Sequence, residues 1–228
     1  MELNLESLSD ELLYAIVISV IVIIGLWFSN IVYDFGVPHY ISRKIGHFSG
    51  GFAFFASPLV FSSAWWPIIL SVCFGILLLG ARFVKPSTFR GVGGSGREKG
   101  VFAEIWFAWV AVPVLCISWL WLKQPAIAVS CLLFMAWGDG ITGLARWRIY
   151  GKAVKGLWGS LVMLGICLVI SWAFIEPLWI GIIGSIVAVV TEWAFGDIGI
   201  FKWGDDNWAI PIFSVATILG LMKLTGNL

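Results

Sequence analysis

Long runs of apolar residues limit the fold of this chain more than any other feature of its sequence. Eight runs approach the ~20 residues that an α-helix needs to cross a bilayer; they cover about 12–32, 46–62, 64–82, 101–121, 125–146, 158–175, 178–195 and 208–225. Within lipid, backbone polar groups must be paired inside the segment, so each run is predicted to be a helix. The sequence therefore predicts an all-α, polytopic integral membrane helical bundle.

The number of transmembrane helices depends on the second run, which is the weakest. It begins with a polar, glycine-rich stretch at 46–51. We expect eight transmembrane helices, or seven if this run is re-entrant or pairs tightly with the third. No Ser/Gly-rich linker separates two halves, so residues 1–228 are predicted to form a single membrane domain.

The charge content agrees with a membrane protein and excludes two other classes. Only 12% of the 228 residues are charged, whereas a soluble domain has about 25%. A water-soluble protein would need more charged side chains to cover its surface. The net charge of +1 excludes a strongly basic nucleic-acid-binding protein.

The charged residues also predict the orientation of the chain. Short cytoplasmic loops are rich in Lys and Arg, and the cations are segregated when the N-terminus is placed outside. The segments 1–11, 83–100 and 146–157 are then a short acidic extracytoplasmic N-terminus, a cytoplasmic glycine-rich loop and a basic cytoplasmic loop. Two cations, Lys123 and Lys223, lie outside, and twelve lie inside: Arg43, Lys44, Arg82, Lys85, Arg90, Arg97, Lys99, Arg146, Arg148, Lys152, Lys155 and Lys202.

The first of four charged clusters stands at the start of the second run, where Arg43 and Lys44 precede His47. In a helix these side chains share one face, because residues three and four apart are neighbours. Two cations and an imidazole suit a polyphosphate or a proton transfer; an anchor at the inner membrane surface is the alternative. An ionisable side chain inside the membrane boundary is costly without a partner, which favours a functional role.

The second cluster is the glycine-rich loop, which contains Arg97, Glu98 and Lys99 and is followed by Glu104. Closely spaced glycines let backbone N–H groups approach an anion, which Arg97 and Lys99 would neutralise. The loop is not a Walker A loop, because Arg97-Glu98 stands where Lys-Ser/Thr is required. A flexible linker is the alternative for the loop, and an ion pair with Lys99 or a nearby arginine is the alternative for Glu104.

The third cluster is Asp139, which has a glycine on either side and precedes a series of polar residues: Arg146, Arg148, Lys152, Lys155 and Ser160. A carboxylate for a divalent metal beside cations for phosphates is the arrangement that phosphoryl or nucleotidyl transfer requires. A structural ion pair between Asp139 and one of these cations is the alternative.

The fourth cluster combines Glu192 with Asp205, Asp206 and Asn207. Adjacent carboxylates followed by an amide are oxygen ligands suited to a hard cation such as Mg²⁺. The same residue types commonly cap a helix N-terminus, so capping of the last helix is an equal alternative. Glu192 lies about one turn from the predicted membrane surface, which favours a functional site.

All four clusters fall on the predicted cytoplasmic face of a very apolar bundle. Acidic metal ligands, basic phosphate ligands and glycine loops on one face imply two substrates: a water-soluble nucleotide from the cytosol and a lipid from the bilayer. The sequence therefore predicts a multi-pass integral membrane protein with a cytoplasmic active face. No pattern in it indicates the oligomeric state.

The order of these motifs resembles the diacylglycerol/polyprenol kinase family, which includes phytol kinase and dolichol kinase and is similar in its later half to the CDP-lipid synthases. The resemblance depends on the joint presence of Arg43-Lys44-x-x-His47, Arg97-Glu98-Lys99-Gly100 with Glu104, Gly138-Asp139-Gly140-x-Thr142-Gly143, Lys155-x-x-x-Gly159-Ser160 and Asp206-Asn207-x-x-Ile210-Pro211. One departure is Arg146, where family members usually have a glycine.

The resemblance implies transfer of the γ-phosphate of a nucleotide, characteristically CTP, to the hydroxyl of a lipid alcohol such as a polyprenol, phytol, geranylgeraniol, dolichol or diacylglycerol. On this hypothesis the catalytic residues are His47, which accepts the hydroxyl proton, and the acids Asp139 and Glu192. The candidate Mg²⁺ ligands are Asp139, Asp205, Asp206, Glu104 and Asn207. The candidate nucleotide and phosphate ligands are Arg43, Lys44, Arg97, Lys99, Arg146, Lys152, Lys155 and Ser160.

Two other functions use some of the same residues. A CTP:lipid-phosphate cytidylyltransferase breaks the bond at the α-phosphate and releases pyrophosphate, but the chain has no charge between Ser160 and Glu176, where bacterial phosphatidate cytidylyltransferases carry a long charged signature. A transporter would place acids such as Glu104 and Glu192 along a path. The predicted outer loops have few polar residues, which disfavours it.

Overall fold

The computed structural model describes residues 5–93, 102–152, 154–196, 199–201 and 204–228, with side chains from residue 10 onward. These residues form eight helical segments in the order α1 (Leu5–Asp34), α2 (His39–Val60), α3 (Trp65–Val84), α4 (Ala103–Trp121), α5 (Pro125–Tyr150), α6 (Leu157–Phe174), α7 (Leu178–Ala194) and α8 (Asp206–Leu224). Within the described ranges the only extended pairing is an isolated bridge between Phe195 and Phe201. The all-α prediction is therefore confirmed.

Six of these helices are long and apolar enough to cross a membrane: α1, α3, α4, α5, α6 and α8. The other two fall outside this set for different reasons. The 22-residue α2 carries Arg43, Lys44 and His47 together with several serines and glycines, whereas α7 is apolar but has 17 residues. The chain is thus a multi-pass membrane protein with six candidate membrane-spanning helices among its described residues. The predicted seven or eight spans require α2, α7 or both to cross the membrane as well.

The centre of the bundle is α5. In the most apolar stretch of α5, 83% of the residues are buried, compared with 28% in the corresponding stretches of α1, α3 and α6. The helices α2, α4, α6 and α8 pack around it, and Phe134 and Met135 are completely buried. A polar side chain on the inward face of α5 is therefore held inside the protein.

Large apolar side chains cover the outside of the bundle. Trp27, Leu59 and Trp172 are 62%, 73% and 76% exposed. A soluble protein rarely exposes apolar side chains over so much of its surface. Hydrocarbon is the solvent that such a surface fits.

The central helix continues further than the sequence predicted. It ends at Tyr150, and Gly151 follows in the left-handed conformation with φ of 66°, which glycine adopts without strain at a helix C-terminus. Residues 146–150 of the predicted basic loop are therefore helical. The connection to α6 begins at Gly151.

One end of the bundle collects most of the described ionisable side chains, and we call it the charged end. Every helix contributes to it: α1, α3, α5 and α7 with their C-terminal ends, and α2, α4, α6 and α8 with their N-terminal ends. The contacts that define it are Arg90–Asp34, Lys44–Asp139, Arg82–Glu104, Arg146–Glu192 and Lys155–Asp206. The described residues of the charged clusters thus lie at the same end of the bundle.

Candidate functional site

Three carboxylates from three different helices meet at the charged end. Asp139 lies in α5, Glu192 in the last turn of α7 and Asp206 in the first turn of α8, and each offers an oxygen within 4.8 Å of the other two. Asp139 and Glu192 are almost completely buried, at 3% and 0% exposure. Because three carboxylates repel one another in a poorly solvated site, this three-carboxylate cluster requires cations close by.

A π-helical turn positions Asp139. The segment Phe134–Asp139 is wound as a π-helix in the middle of α5, and Asp139 is its last residue. Such turns are rare and occur frequently at functional sites, because one extra residue in a turn changes the direction of the side chains that follow. The turn brings Asp139 to the side of α5 that faces α2.

Three basic side chains neutralise the cluster. Lys44 of α2 donates to Asp139 Oδ2 at 2.5 Å, and Arg146 donates to Glu192 Oε1 and Oε2 at 2.7 and 2.9 Å. Lys155 forms an ion pair with Glu192 and lies 3.5 Å from Asp206 Oδ2. Each carboxylate thus has at least one cationic partner, and Lys155 links two of them.

Lys155 stays protonated in this environment. Burial alone would lower the pKa of its ammonium group, but the carboxylates of Asp206 and Glu192 outweigh that effect and raise the pKa above its usual range. Its charge is therefore a fixed part of the site over the neutral pH range.

Two glycines make room for the basic side chains. A Cβ atom on Gly143 would lie 2.5 Å from Lys44 Cε, and one on Gly159 would lie 2.3 Å from Arg146 Nε. By contrast, a Cβ on Gly140, beside Asp139, would make an ordinary 3.6 Å contact with Phe48. The glycines that make space for these cations are therefore Gly143 and Gly159.

His47 lies beside the cluster on α2. Its Nδ1 is 3.7 Å from Asp139 Oδ2, and its ring packs against Phe107 with 4.6 Å between centroids. The helical spacing predicted that Lys44 and His47 share a face, and both do point to Asp139. The imidazole therefore stands between the carboxylates and the neighbouring apolar helices.

The start of α8 holds the remaining predicted metal ligands. Asp205 is the N-cap and accepts a hydrogen bond from the Asn207 backbone N–H at 2.9 Å, as in the capping alternative. Asn207 is completely buried; its Nδ2 donates to Ala103 O at 2.9 Å, while its Oδ1 has no hydrogen-bond partner in the described part of the chain. Asn207 Oδ1 is thus a buried oxygen of the residue that follows Asp206.

Glu104 belongs to a different group of contacts. Its carboxylate forms an ion pair with Arg82, the last-turn cation of α3, and the two side chains are 5% and 10% exposed. Arg82 also lies over the Phe102 ring, 4.7 Å from its centroid. This arrangement is the alternative that the sequence predicted for Glu104, an ion pair with a nearby arginine. With Arg43 and His47, Glu104 lines an apolar cavity.

The other predicted phosphate ligands are more scattered. Lys152 is exposed in the connection after α5, and Ser160 is half-buried in the first turn of α6. Arg97 and Lys99 lie outside the described residues, so their predicted role has no structural account.

The start of the glycine-rich loop, as far as Gly93, is packed against the bundle. Asn30 Oδ1 accepts from the Gly91 N–H at 2.8 Å, and Ser42 Oγ donates to Gly91 O at 2.7 Å. Arg90 Nε donates to Asp34 Oδ1 at 2.8 Å. The sequence analysis missed Asn30 and Ser42, because single small polar residues in apolar helices carry no distinctive pattern.

Comparisons with known proteins identify no relative. No protein-family model, no curated protein and no solved structure matches the chain. The family resemblance inferred from the motifs therefore stays a prediction.

Proposed function

We propose that this protein is an integral membrane lipid kinase, which transfers the γ-phosphate of a nucleotide to the hydroxyl of a lipid alcohol. The observation that carries the proposal is the three-carboxylate cluster, with oxygens within 4.8 Å and with Lys44, Arg146 and Lys155 around it. Acids for a metal beside cations for phosphates are what phosphoryl transfer needs. CTP is the nucleotide that the motif resemblance implies.

The donor set fits Mg²⁺. Asp139, Glu192 and Asp206 offer carboxylate oxygens within 4.8 Å of one another, and the next residue after Asp206, Asn207, has a buried amide oxygen without a hydrogen-bond partner among the described residues. Hard divalent cations prefer such oxygen ligands. When bound, Mg²⁺ supplies electrostatic stabilisation of the charge on the phosphate oxygens.

The chain's own cations have two distinct tasks in this mechanism. Lys44 and Lys155 contact the carboxylates through single ammonium groups on flexible stems, so they exchange to phosphate oxygens when the carboxylates bind metal. Arg146 is held by two hydrogen bonds to Glu192 and keeps that carboxylate oriented. Arg146 is thus a positioning residue, whereas Lys44 and Lys155 bind the nucleotide.

The proton of the lipid hydroxyl passes to His47. This imidazole lies beside Asp139 and on the wall of the apolar cavity, so it stands between the two substrates. The hydroxyl oxygen forms a bond to the γ-phosphorus, the bond from that phosphorus to the nucleoside diphosphate breaks, and the diphosphate leaves. Catalysis is then mainly positioning and electrostatic stabilisation.

The proposed topology has eight membrane crossings with the N-terminus outside and the charged end in the cytoplasm. The alternation of helix ends supports it, because consecutive helices, including α2 and α7, present opposite termini to the charged end. The segregation of Lys and Arg assigns that end to the cytoplasm.

The decisive experiment supplies the purified protein with Mg²⁺ and CTP labelled at either the α- or the γ-phosphate. A lipid alcohol and a lipid phosphate are offered in parallel. Label from the γ-position on the alcohol supports the kinase, and label from the α-position with release of pyrophosphate identifies a cytidylyltransferase instead. No transfer to either acceptor with any of the four nucleotides contradicts both activities.

A pair of variants links the activity to the cluster. Asp139→Asn is expected to abolish transfer, since it removes a charged metal ligand. The exposed Asp10 provides the matched control, and Asp10→Asn is expected to retain transfer. Full activity in Asp139→Asn would remove this carboxylate from the mechanism.

A further inference from the structure

A partly open cavity with a free volume of about 80 Å³ lies between two pairs of helices, α1 with α2 and α3 with α4. The helices within each pair pack closely, whereas the two pairs contact each other sparsely. This volume is smaller than the ~300–1,000 Å³ of typical small-molecule sites, so a lipid would lie in the cavity as in a groove that is open on one side. The cavity is thus a gap built into the packing of helices that are predicted to lie within the bilayer.

The body of the cavity is apolar and elongated. Leu26, Phe54 and Phe74 line it, and it follows α2 from Arg43 to Ser57. These fourteen helical steps correspond to about 21 Å at ~1.5 Å per residue. This is roughly two thirds of the ~30 Å hydrocarbon thickness of a bilayer. The shape fits an extended hydrocarbon chain that runs parallel to the helices.

The end of the cavity at the charged end is polar, and it contains an oxygen that lacks a partner. Glu104 is 8% exposed; its Oε1 accepts from Arg82, whereas its Oε2 has no hydrogen-bond partner among the described residues. A buried carboxylate oxygen without a donor is costly. Arg43 and His47 line the same end. The site therefore lacks a hydrogen-bond donor at Glu104 Oε2.

We propose that this cavity binds a single-chain lipid alcohol, with the hydroxyl donating to Glu104 Oε2 while no nucleotide is bound and the hydrocarbon chain lying between the two helix pairs. In the reacting complex the same hydroxyl proton turns from Glu104 to His47. The inference rests on the proposed function, since it assigns the binding site of the acceptor substrate. A neutral hydroxyl satisfies the free oxygen of Glu104, whereas the anionic headgroup of a phospholipid would be repelled by that carboxylate. Glu104 is thus a substrate-positioning residue and not a metal ligand.

The test uses photolabelling and needs no nucleotide. Hexadecanol with a diazirine at mid-chain is added to the detergent-purified protein, and the labelled residues are identified by peptide mass spectrometry. Label is expected on the cavity wall, at residues such as Phe54, Leu70 and Phe74. Label confined to the outer surface of the bundle, or retention of a diacyl phospholipid in place of the probe, would overturn the proposal.

The role of Glu104 is tested by competition. Unlabelled hexadecanol is expected to displace the probe at a concentration at least tenfold lower than its methyl ether, because the ether has no proton to donate. In Glu104→Gln an amide replaces the free carboxylate oxygen, so the alcohol and the ether are expected to compete equally. Equal competition in the unmodified protein would overturn the assignment of the hydroxyl to Glu104.

A cavity-filling variant provides the matched control. Ser71 lines the cavity and is 8% exposed, whereas Ile76 lies on the same helix with 57% exposure. Ser71→Phe is expected to reduce labelling at least tenfold, and Ile76→Phe to leave it unchanged. Unchanged labelling in Ser71→Phe would overturn the proposal. If that variant does not fold, the positions labelled in the unmodified protein decide whether the probe binds in the cavity.

The failure of this inference can be distinguished from the failure of the proposed function. Labelling of the cavity without phosphoryl transfer would contradict the kinase and leave the lipid site in place. Phosphoryl transfer with label only outside the cavity would contradict the lipid site and leave the kinase in place.

Discussion

Arg146 and Glu192 form a buried, bidentate ion pair that joins the central helix α5 to α7, with N–O distances of 2.7 and 2.9 Å. Two parallel N–H···O bonds between a planar guanidinium and a carboxylate fix orientation as well as charge. Arg146 stands where the kinase family that the motifs resemble usually has a glycine. In this chain an internal arginine therefore compensates the charge of Glu192.

Removing the arginine is expected to destabilise the protein strongly. Arg146→Met leaves Glu192 buried with Lys155 as its remaining cation, and breaking one partner of a buried ion pair costs about 3–5 kcal/mol. Thermal unfolding in detergent measures the loss. Arg148 lies two residues further along the same helix and is exposed, and Arg148→Met is expected to stay within about 0.5 kcal/mol of the unmodified protein. Equal stability of the two variants would contradict the importance of the pair.

The helices could be predicted from the sequence more completely than their contacts. All eight apolar runs correspond to helices, since a run of about 20 apolar residues has few other solutions in lipid. The ends were less well defined. The central helix extends to Tyr150, four residues beyond the predicted end. A basic segment can continue as a helix instead of forming a loop when its side chains find partners.

The candidate site could be predicted only as a set of residues. The described residues of the four clusters lie at one end of the bundle, but Lys44 pairs with Asp139 across 95 positions of sequence. Helical periodicity indicates which residues share a face and not which helix that face meets. For the same reason Glu104 was grouped with the metal ligands, although it pairs with Arg82.

Lys155 is expected to compete with a divalent cation for the cluster. Its ammonium group contacts Glu192 and Asp206, so Lys155→Met removes one positive charge from the carboxylates. Mn²⁺ binding, measured by electron paramagnetic resonance, is expected to tighten by about tenfold, or about 1.4 kcal/mol. Phosphoryl transfer is expected to fall by roughly a hundredfold or more, because the same lysine neutralises the phosphates.

The control for this prediction is Lys85→Met, which removes an exposed lysine at the same end of the bundle. It is expected to change neither Mn²⁺ binding nor transfer. If Lys155→Met weakened Mn²⁺ binding, the lysine would be organising the carboxylates and not competing with the metal.

Gly143→Ala is expected to move Lys44 away from Asp139. The added methyl group would lie 2.5 Å from Lys44 Cε, and the flexible lysine stem yields more readily than the backbone. Transfer is expected to fall by at least about tenfold. The helix gains up to about 1 kcal/mol from replacing a glycine, which offsets part of the weakened ion pair. Steady-state transfer and thermal unfolding are measured together.

The matched substitution is Gly165→Ala in α6, where a Cβ atom would meet nothing within 4 Å. It is expected to leave transfer unchanged and to stabilise the helix slightly. A similar loss of transfer in both variants would show that rigid helices impair the enzyme generally, which would contradict a specific role for the Gly143–Lys44 contact.

The two termini are expected to lie on the same, extracytoplasmic side of the membrane. Eight crossings return the chain to the side from which it started, whereas a re-entrant α2 or α7 would place the C-terminus opposite the N-terminus. Reporter fusions at each end, one active only in the cytoplasm and one active only outside it, measure the side directly. A reporter placed at the exposed Lys152 is expected to lie in the cytoplasm, since Lys152 follows the end of α5 that carries Asp139 and Arg146. A C-terminus in the cytoplasm with the N-terminus outside would contradict the eighth crossing.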